Sequence, residues 1–336
     1  MWSLARKACR AILLLVAIIF ERRSHAGEAL LWLVLVGGVL SGAASAAEKP
    51  ACLQPRLSDV GWTDITITTA LTAKILEALG YRPQIHVLGT DITYQSMKNG
   101  DIDIFLGTWL PGLQTVSAPY YADGSIEKIR TNLTGAKFTL AVPKYVSDAG
   151  VLDFKDLNKY KEKFGGKIFG IEPGGNKPIE EMISKNAFDL AGWNLVESSE
   201  AGMLAQVKKD VLRERWIVFL AWEPHLMNTM YGITYLRGGD AYYGKDYGAA
   251  VVNTDVRKNY RDDCPNIVSL LANLQFSIQM ENTLIEWVLS KGMTPSDAVL
   301  KWLKENPKWL DGVLSGVTDV TGQPGLAKVR TFLELD

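Results

Sequence analysis

Three tryptophans in this 336-residue chain each follow a short apolar run and stand beside a turn or helix-start signal. They are Trp62 in Leu57-S-D-V-G-W-T-D, Trp109 in Ile104-F-L-G-T-W-L-P and Trp222 in Val218-F-L-A-W-E-P. Such runs read as buried strands, and strand C-termini in open α/β sheets face the ligand crevice. Aromatic faces converging on a crevice suit a cation too apolar to be well hydrated. Core packing is the competing reading for any single tryptophan, and three in one context weigh against it.

Asp64, two residues after Trp62, is the charge best placed to join them. It reads either as a helix N-cap, with Thr63 competing for that position, or as a carboxylate at the crevice mouth facing a cation. Both roles are compatible, because a carboxylate has lone pairs for a backbone N–H and for a ligand hydroxyl. Ile171-E-P-G-G-N-K-P is a Gly-rich strand-to-helix turn whose backbone allows close approach of a ligand, with Asn176 as a polar tip; a plain loop is the alternative.

Signatures of turnover are absent. The chain has no G-x-S-x-G, H-E-x-x-H, C-x-x-C or G-x-x-x-x-G-K-[ST]. Its three histidines, His25, His86 and His225, are scattered, and His86 alternates with Ile85 and Val87 as on a sheet face. Asp101 and Asp103 flank a strand start and read as solvated. The helix-start tract Ser198–Gln206 yields capping and packing only. With 36 basic and 37 acidic residues the formal charge is −1, a poor match to nucleic-acid or membrane-surface binding. No metal or cofactor is implied. The chain reads as a binder, not an enzyme.

The first 46 residues read as targeting. Arg6, Lys7 and Arg10 precede an apolar stretch from Ile12 to Phe20; Glu21-Arg22-Arg23 separates it from Ala29–Leu40, after which Ala44-Ser45-Ala46 fits the small-x-small cleavage rule. Neither stretch reaches the roughly 18–20 residues of a membrane span. The second is the signal core; the first is either an upstream extension or a short membrane-contacting segment. Cleavage leaves Cys52 and Cys264, an even pair in an oxidising compartment, and therefore an expected disulfide, with two buried free thiols as the alternative.

Strand and helix patterns alternate to position these residues. Arg56–Val60, Gln84–Leu88 and Ile102–Leu106 read as strands around helices Asp64–Gly80 and Thr90–Asn99, a β-α-β-α-β order typical of a parallel sheet flanked by helices. The pattern restarts at Lys137–Val142, with Lys167–Ile171, Asn194–Glu197 and Trp216–Ala221 as strands of a second sheet. Helices Lys177–Asn186 and Ala201–Lys209 lie between them. A strand-like Ala249–Asn253 follows the Gly- and Tyr-rich stretch Gly238–Gly248, and the rest is helical. Two α/β lobes joined by short crossings account for this order, with residues 47–136 plus 246–336 in one and 137–245 in the other.

At these motifs the chain resembles the periplasmic substrate-binding proteins of ABC importers for quaternary ammonium compounds, and within them the choline-binding subgroup. The resemblance runs from Leu57-S-D-V-G-W-T-D-I-T through F-L-G-T-W-L-P, N-L-T-G-A-K-F-T-L-A, G-I-E-P-G, E-S-S-E-A-G-M-L-A-Q and F-L-A-W-E-P-H to Q-M-E-N. It implies a two-lobed, Venus-flytrap α/β fold of type II-like order, each lobe a mainly parallel sheet flanked by helices. It also implies an aromatic box for the trimethylammonium group made of Trp62, Trp109, Trp222 and Phe138, where the family usually has Tyr. Asp64 corresponds to the family's acidic ligand. The family's Asn in the Gly-rich turn corresponds to Gly175 or Asn176. The implied partners are choline and an inner-membrane permease, with a periplasmic monomer as the working form. Glycine betaine, proline betaine or carnitine is the alternative ligand, and a secreted choline-ester-processing enzyme the alternative class.

Overall fold

β1 (Arg56–Asp59) and β2 (Gln84–Val87) pair in parallel, and β1 pairs on its other side with β3 (Ile104–Leu110), also in parallel. These strands come from a computed structural model that describes residues 47–335; the expected targeting segment lies outside the described residues. The opposite end of the sheet repeats the arrangement with β5 (Lys167–Phe169) between β6 (Asn194–Val196) and β7 (Phe219–Glu223), all parallel. Two long strands, β4 (Ile126–Pro143) and β9 (Ala249–Arg257), run antiparallel between the two groups.

The expected second sheet is thus continuous with the first. Among the described residues the ladder runs β2-β1-β3-β9-β4-β7-β5-β6, with β8 (Ile233–Tyr235) added to β4. The cause is the length of β4, whose 18 residues pair with β9 along one stretch and with β7 along the next. The architecture is α/β and two-lobed, with a parallel strand group and its helices at each end of the sheet.

Helix α1 (Thr63–Leu79) is buried on nearly every side, with Ile65, Ile67, Leu71, Ile75, Leu76 and Leu79 inaccessible. It ends at Gly80 in the left-handed region at φ 99°, where the N–H of Tyr81 returns to Leu76 O at 3.0 Å. A side chain there would also strike Val320 at 2.8 Å. α2 (Thr90–Asn99) follows β2, and α3 (Lys177–Ser184) and α4 (Glu200–Val211) flank β6. The C-terminal part supplies α5 (Ile278–Leu289), α6 (Pro295–Glu305) and α7 (Gly325–Phe332), each packed on α1. Cys52 and Cys264 form a disulfide with Cα atoms 5.7 Å apart.

One carboxylate departs from its expected setting. Asp103 is buried, not solvated, and accepts hydrogen bonds from Arg56 Nη2 at 2.7 Å and Arg257 Nε at 2.8 Å. The two guanidinium groups hold its carboxyl below the usual range despite burial.

Candidate aromatic binding site

The turn between β1 and α1 is tied down by Asp59, whose carboxylate accepts from Gly61 N at 2.8 Å and Thr66 Oγ1 at 2.9 Å. Gly61 takes φ 77° there, a conformation costly for other residues. This tight entry places Trp62 at the N-cap position and Asp64 in the first turn. The N-cap residue Trp62 makes no side-chain cap bond, so neither Asp64 nor Thr63 fills that role. Instead Asp64 Oδ2 accepts from Trp109 Nε1 at 3.1 Å, and Oδ1 is buried without a hydrogen-bond partner. Burial first, and then the charge of Glu200, push the Asp64 carboxyl up to about 8. A second buried acid, Glu281 on α5, is raised well above its usual value by burial and by Asp64.

Trp109 lies in β3 and Trp222 in β7, each near the end of its strand and each two residues before a cis proline. Phe138 in β4 joins them. It pairs directly with Trp222 across the β4–β7 ladder, and its ring centroid stands 6.0 Å from that of Trp109. All three are at most 3% exposed. The Trp222 Nε1 is buried without an acceptor. Trp62, also buried, enters through the chain two residues ahead of Asp64, and its indole donates to Glu172 Oε2 at 2.8 Å. An aromatic wall with one uncommitted, buried carboxyl oxygen is suited to a large, weakly hydrated cation that carries a hydroxyl.

Asn176 is fully buried in the Gly-rich turn, where its amide closes on the backbone. Oδ1 accepts from Ile171 N at 2.8 Å, and Nδ2 donates to Ile171 O at 2.7 Å and to Glu197 Oε1 at 3.2 Å. Both amide hydrogens are therefore used in holding the turn that presents Glu172.

Glu200 and His225 carry no motif in the sequence that marks them as site residues. Glu200 opens α4, is buried, and accepts from Thr63 N at 2.8 Å, from the Thr63 hydroxyl and from His225 Nε2 at 3.1 Å. Met227 N donates to His225 Nδ1 at 3.0 Å, so the ring proton sits on Nε2 and points at Glu200. The only sequence signals were acids in E-P-G-G and E-S-S-E, which spacing alone cannot tell from solvated helix starts. Beside His225 a cavity of about 560 Å³ opens between Glu223–Thr229 and α5.

The chain matches, over residues 56–305, the family described as the substrate binding domain of ABC-type glycine betaine transport systems. A solved ABC-transporter choline-binding protein in complex with choline is 50% identical, covers 85% of this chain and all of its own, and superposes with a TM-score of 0.84. An unliganded, semi-closed structure of an ABC-transporter choline-binding protein is equally identical, covers 84% and 99%, and gives 0.78. A glycine betaine/carnitine transport binding protein of Listeria monocytogenes is 31% identical over 166 residues, 47% of this chain and 53% of that protein.

Proposed function

The chain belongs to the substrate-binding domains of ABC-type glycine betaine transport systems, and from that premise we propose that it captures choline and delivers it to an ABC permease. It is a solute-binding protein and not an enzyme. In the proposed site Trp62, Trp109, Phe138 and Trp222 surround the trimethylammonium group, Asp64 takes the hydroxyl, and Asn176 holds the turn beside them. The observation that carries this reading is the Asp64–Trp109 pair. A buried carboxyl bound through one oxygen to the Trp109 indole keeps its other oxygen without a hydrogen-bond partner.

Cation–π contacts contribute about 0.5–2 kcal/mol each when desolvated. Four of them reach the roughly 8 kcal/mol of micromolar binding only with van der Waals contact and Asp64 added. The lobes proposed to close over the ligand are residues 47–136 with 246–336 and residues 137–245. Export to the periplasm as a monomer, after cleavage near Ala46, completes the reading, and an inner-membrane permease is its receiving partner.

Glycine betaine is the second reading, and one observation favours it. An Asp64 carboxyl that holds its proton up to about 8 can donate to a ligand carboxylate near neutral pH. Calorimetry of the purified protein against choline, acetylcholine, glycine betaine and carnitine separates the two. Choline is expected to bind most tightly. Tighter binding of glycine betaine, or hydrolysis of choline esters, would overturn the assignment.

A further inference from the structure

Among the described residues, contacts at Glu200, Glu172 and Gly174 join the β1–β3 end of the sheet to the β5–β7 end, and none of these is made by a face of the aromatic wall. Glu200 grips Thr63 through its backbone N–H at 2.8 Å and through its hydroxyl, across 137 residues of sequence. Glu172 takes the Trp62 indole N–H at 2.8 Å, across 110 residues. Gly174 meets α2 so closely that a Cβ on it would stand 1.6 Å from Thr90 Oγ1. Thr63 lies between Trp62 and Asp64, so a hold on Thr63 fixes both neighbours.

We propose that Glu200, oriented by His225, and Glu172 are positioning residues that clasp the first turn of α1 and set how fast a bound quaternary ammonium ion escapes. The proposal rests on the reading of Trp62 and Asp64 as parts of the cation site, and it adds residues that do not touch the ligand. Its physical basis is the cost of a buried carboxylate, which is offset only when enough donors surround it. Glu200 receives three, two of them from Thr63 at the start of α1. Separation of the two ends removes those two at once and returns the acid to water, so the clasp and the closed arrangement form together. His225 has one productive tautomer here, because Met227 N occupies Nδ1. Its Nε2–H holds the carboxylate in the rotamer that reaches Thr63. Asn176 serves Glu172 in the same way by closing the Gly-rich turn.

Glu200→Gln is a sharp probe, since wherever its NH2 group sits it faces a donor, either Thr63 N–H or His225 Nε2–H. Thr63→Ala removes one clasp bond from the opposite side without touching the buried acid, and so serves if the Gln variant does not fold. Spin labels on Ile92→Cys and Leu212→Cys, both exposed and at opposite ends of the sheet, report the separation by pulsed electron resonance. Stopped-flow tryptophan fluorescence gives the choline rates. The expected result is dissociation faster by about 10-fold or more with association within about 2-fold, because tuning of related complexes falls mostly on the off-rate. The label distance should lengthen in the unliganded variants while the melting temperature stays close to the parent's. Parental distances in both Thr63→Ala and Glu200→Gln would overturn the clasp. Failure of the parent to bind choline would instead overturn the choline reading, and the unliganded distances would still decide the clasp.

Discussion

Phe138 and Trp222 are direct cross-strand partners in the β4–β7 ladder, and the Phe138 ring is closely packed by its other neighbours. Gly112 lies so close that a Cβ on it would come within 2.7 Å of the ring, and the Tyr243 ring centroid stands 6.0 Å from that of Phe138. A ring wedged in this way presents a fixed face with little freedom left to lose on binding, which is the thermodynamic advantage of a preorganised wall.

Truncation of that wall should be costly. Trp222→Ala and Trp62→Ala are each expected to weaken choline binding by about 2 kcal/mol or more, as buried aromatic anchors do. Phe138→Tyr should change it little, because the ring face is already present. Isothermal calorimetry measures all three, and parental affinity in either alanine variant would assign that tryptophan to the core.

Gly174 has its own consequence. Gly174→Ala places a methyl group where Thr90 Oγ1 stands, within 1.6 Å of the new Cβ. Choline affinity should fall by about 10-fold or more, since complementarity at closed contacts is lost without any change in the ligand shell. Thr90→Gly on top of Gly174→Ala should recover much of it by clearing the methyl's space. A double variant no better than the single one would show that this contact does not limit closure.

The Cys52–Cys264 bridge closes a loop over a sequence separation of 212 residues. Reduction should lower stability by roughly 2–4 kcal/mol, through the larger conformational freedom of the reduced unfolded chain. Thermal melting with and without reductant measures the change. Neither cysteine belongs to an element that carries a residue of the aromatic wall, so choline affinity of the reduced folded protein should stay within about 2-fold of the oxidised form.

Much of this molecule is legible in its sequence, and the unread parts share a cause. α1 and α2 follow from apolar spacing ended by glycine, and the tryptophans stand out because each follows an apolar run. The continuity of the sheet is not legible, because nothing local tells that β4 is long enough to serve both strand groups. Asp103 resembles a solvated strand-start acid until the fold brings Arg56 and Arg257 to it from 47 and 154 residues away. Glu172, Glu200 and His225 are invisible for the same reason, since each has its decisive partner on a distant element or in a particular ring tautomer.

Asp64 supplies the test that best separates the ligands. Its carboxyl in the folded protein is raised from the usual 3.8 to about 8, so its ionisation works against the fold. That destabilisation is absent below about 3.8, grows as pH rises toward 8, and is complete above it. Asp64→Asn should therefore stabilise the unliganded protein, more at pH 9 than at pH 4, in thermal melts. Choline favours the carboxylate, so binding near pH 7 should release a proton and affinity should rise with pH until it levels above 8. Glycine betaine favours the protonated acid, which donates to its carboxylate, so its affinity should fall over the same range. Calorimetry at several pH values, in buffers of different ionisation enthalpy, reads both the affinity and the proton count. In Asp64→Asn the choline affinity should be lower and flat with pH. A parent protein whose choline affinity is flat between pH 6 and 9, with no proton exchanged, would show that Asp64 does not face the cation.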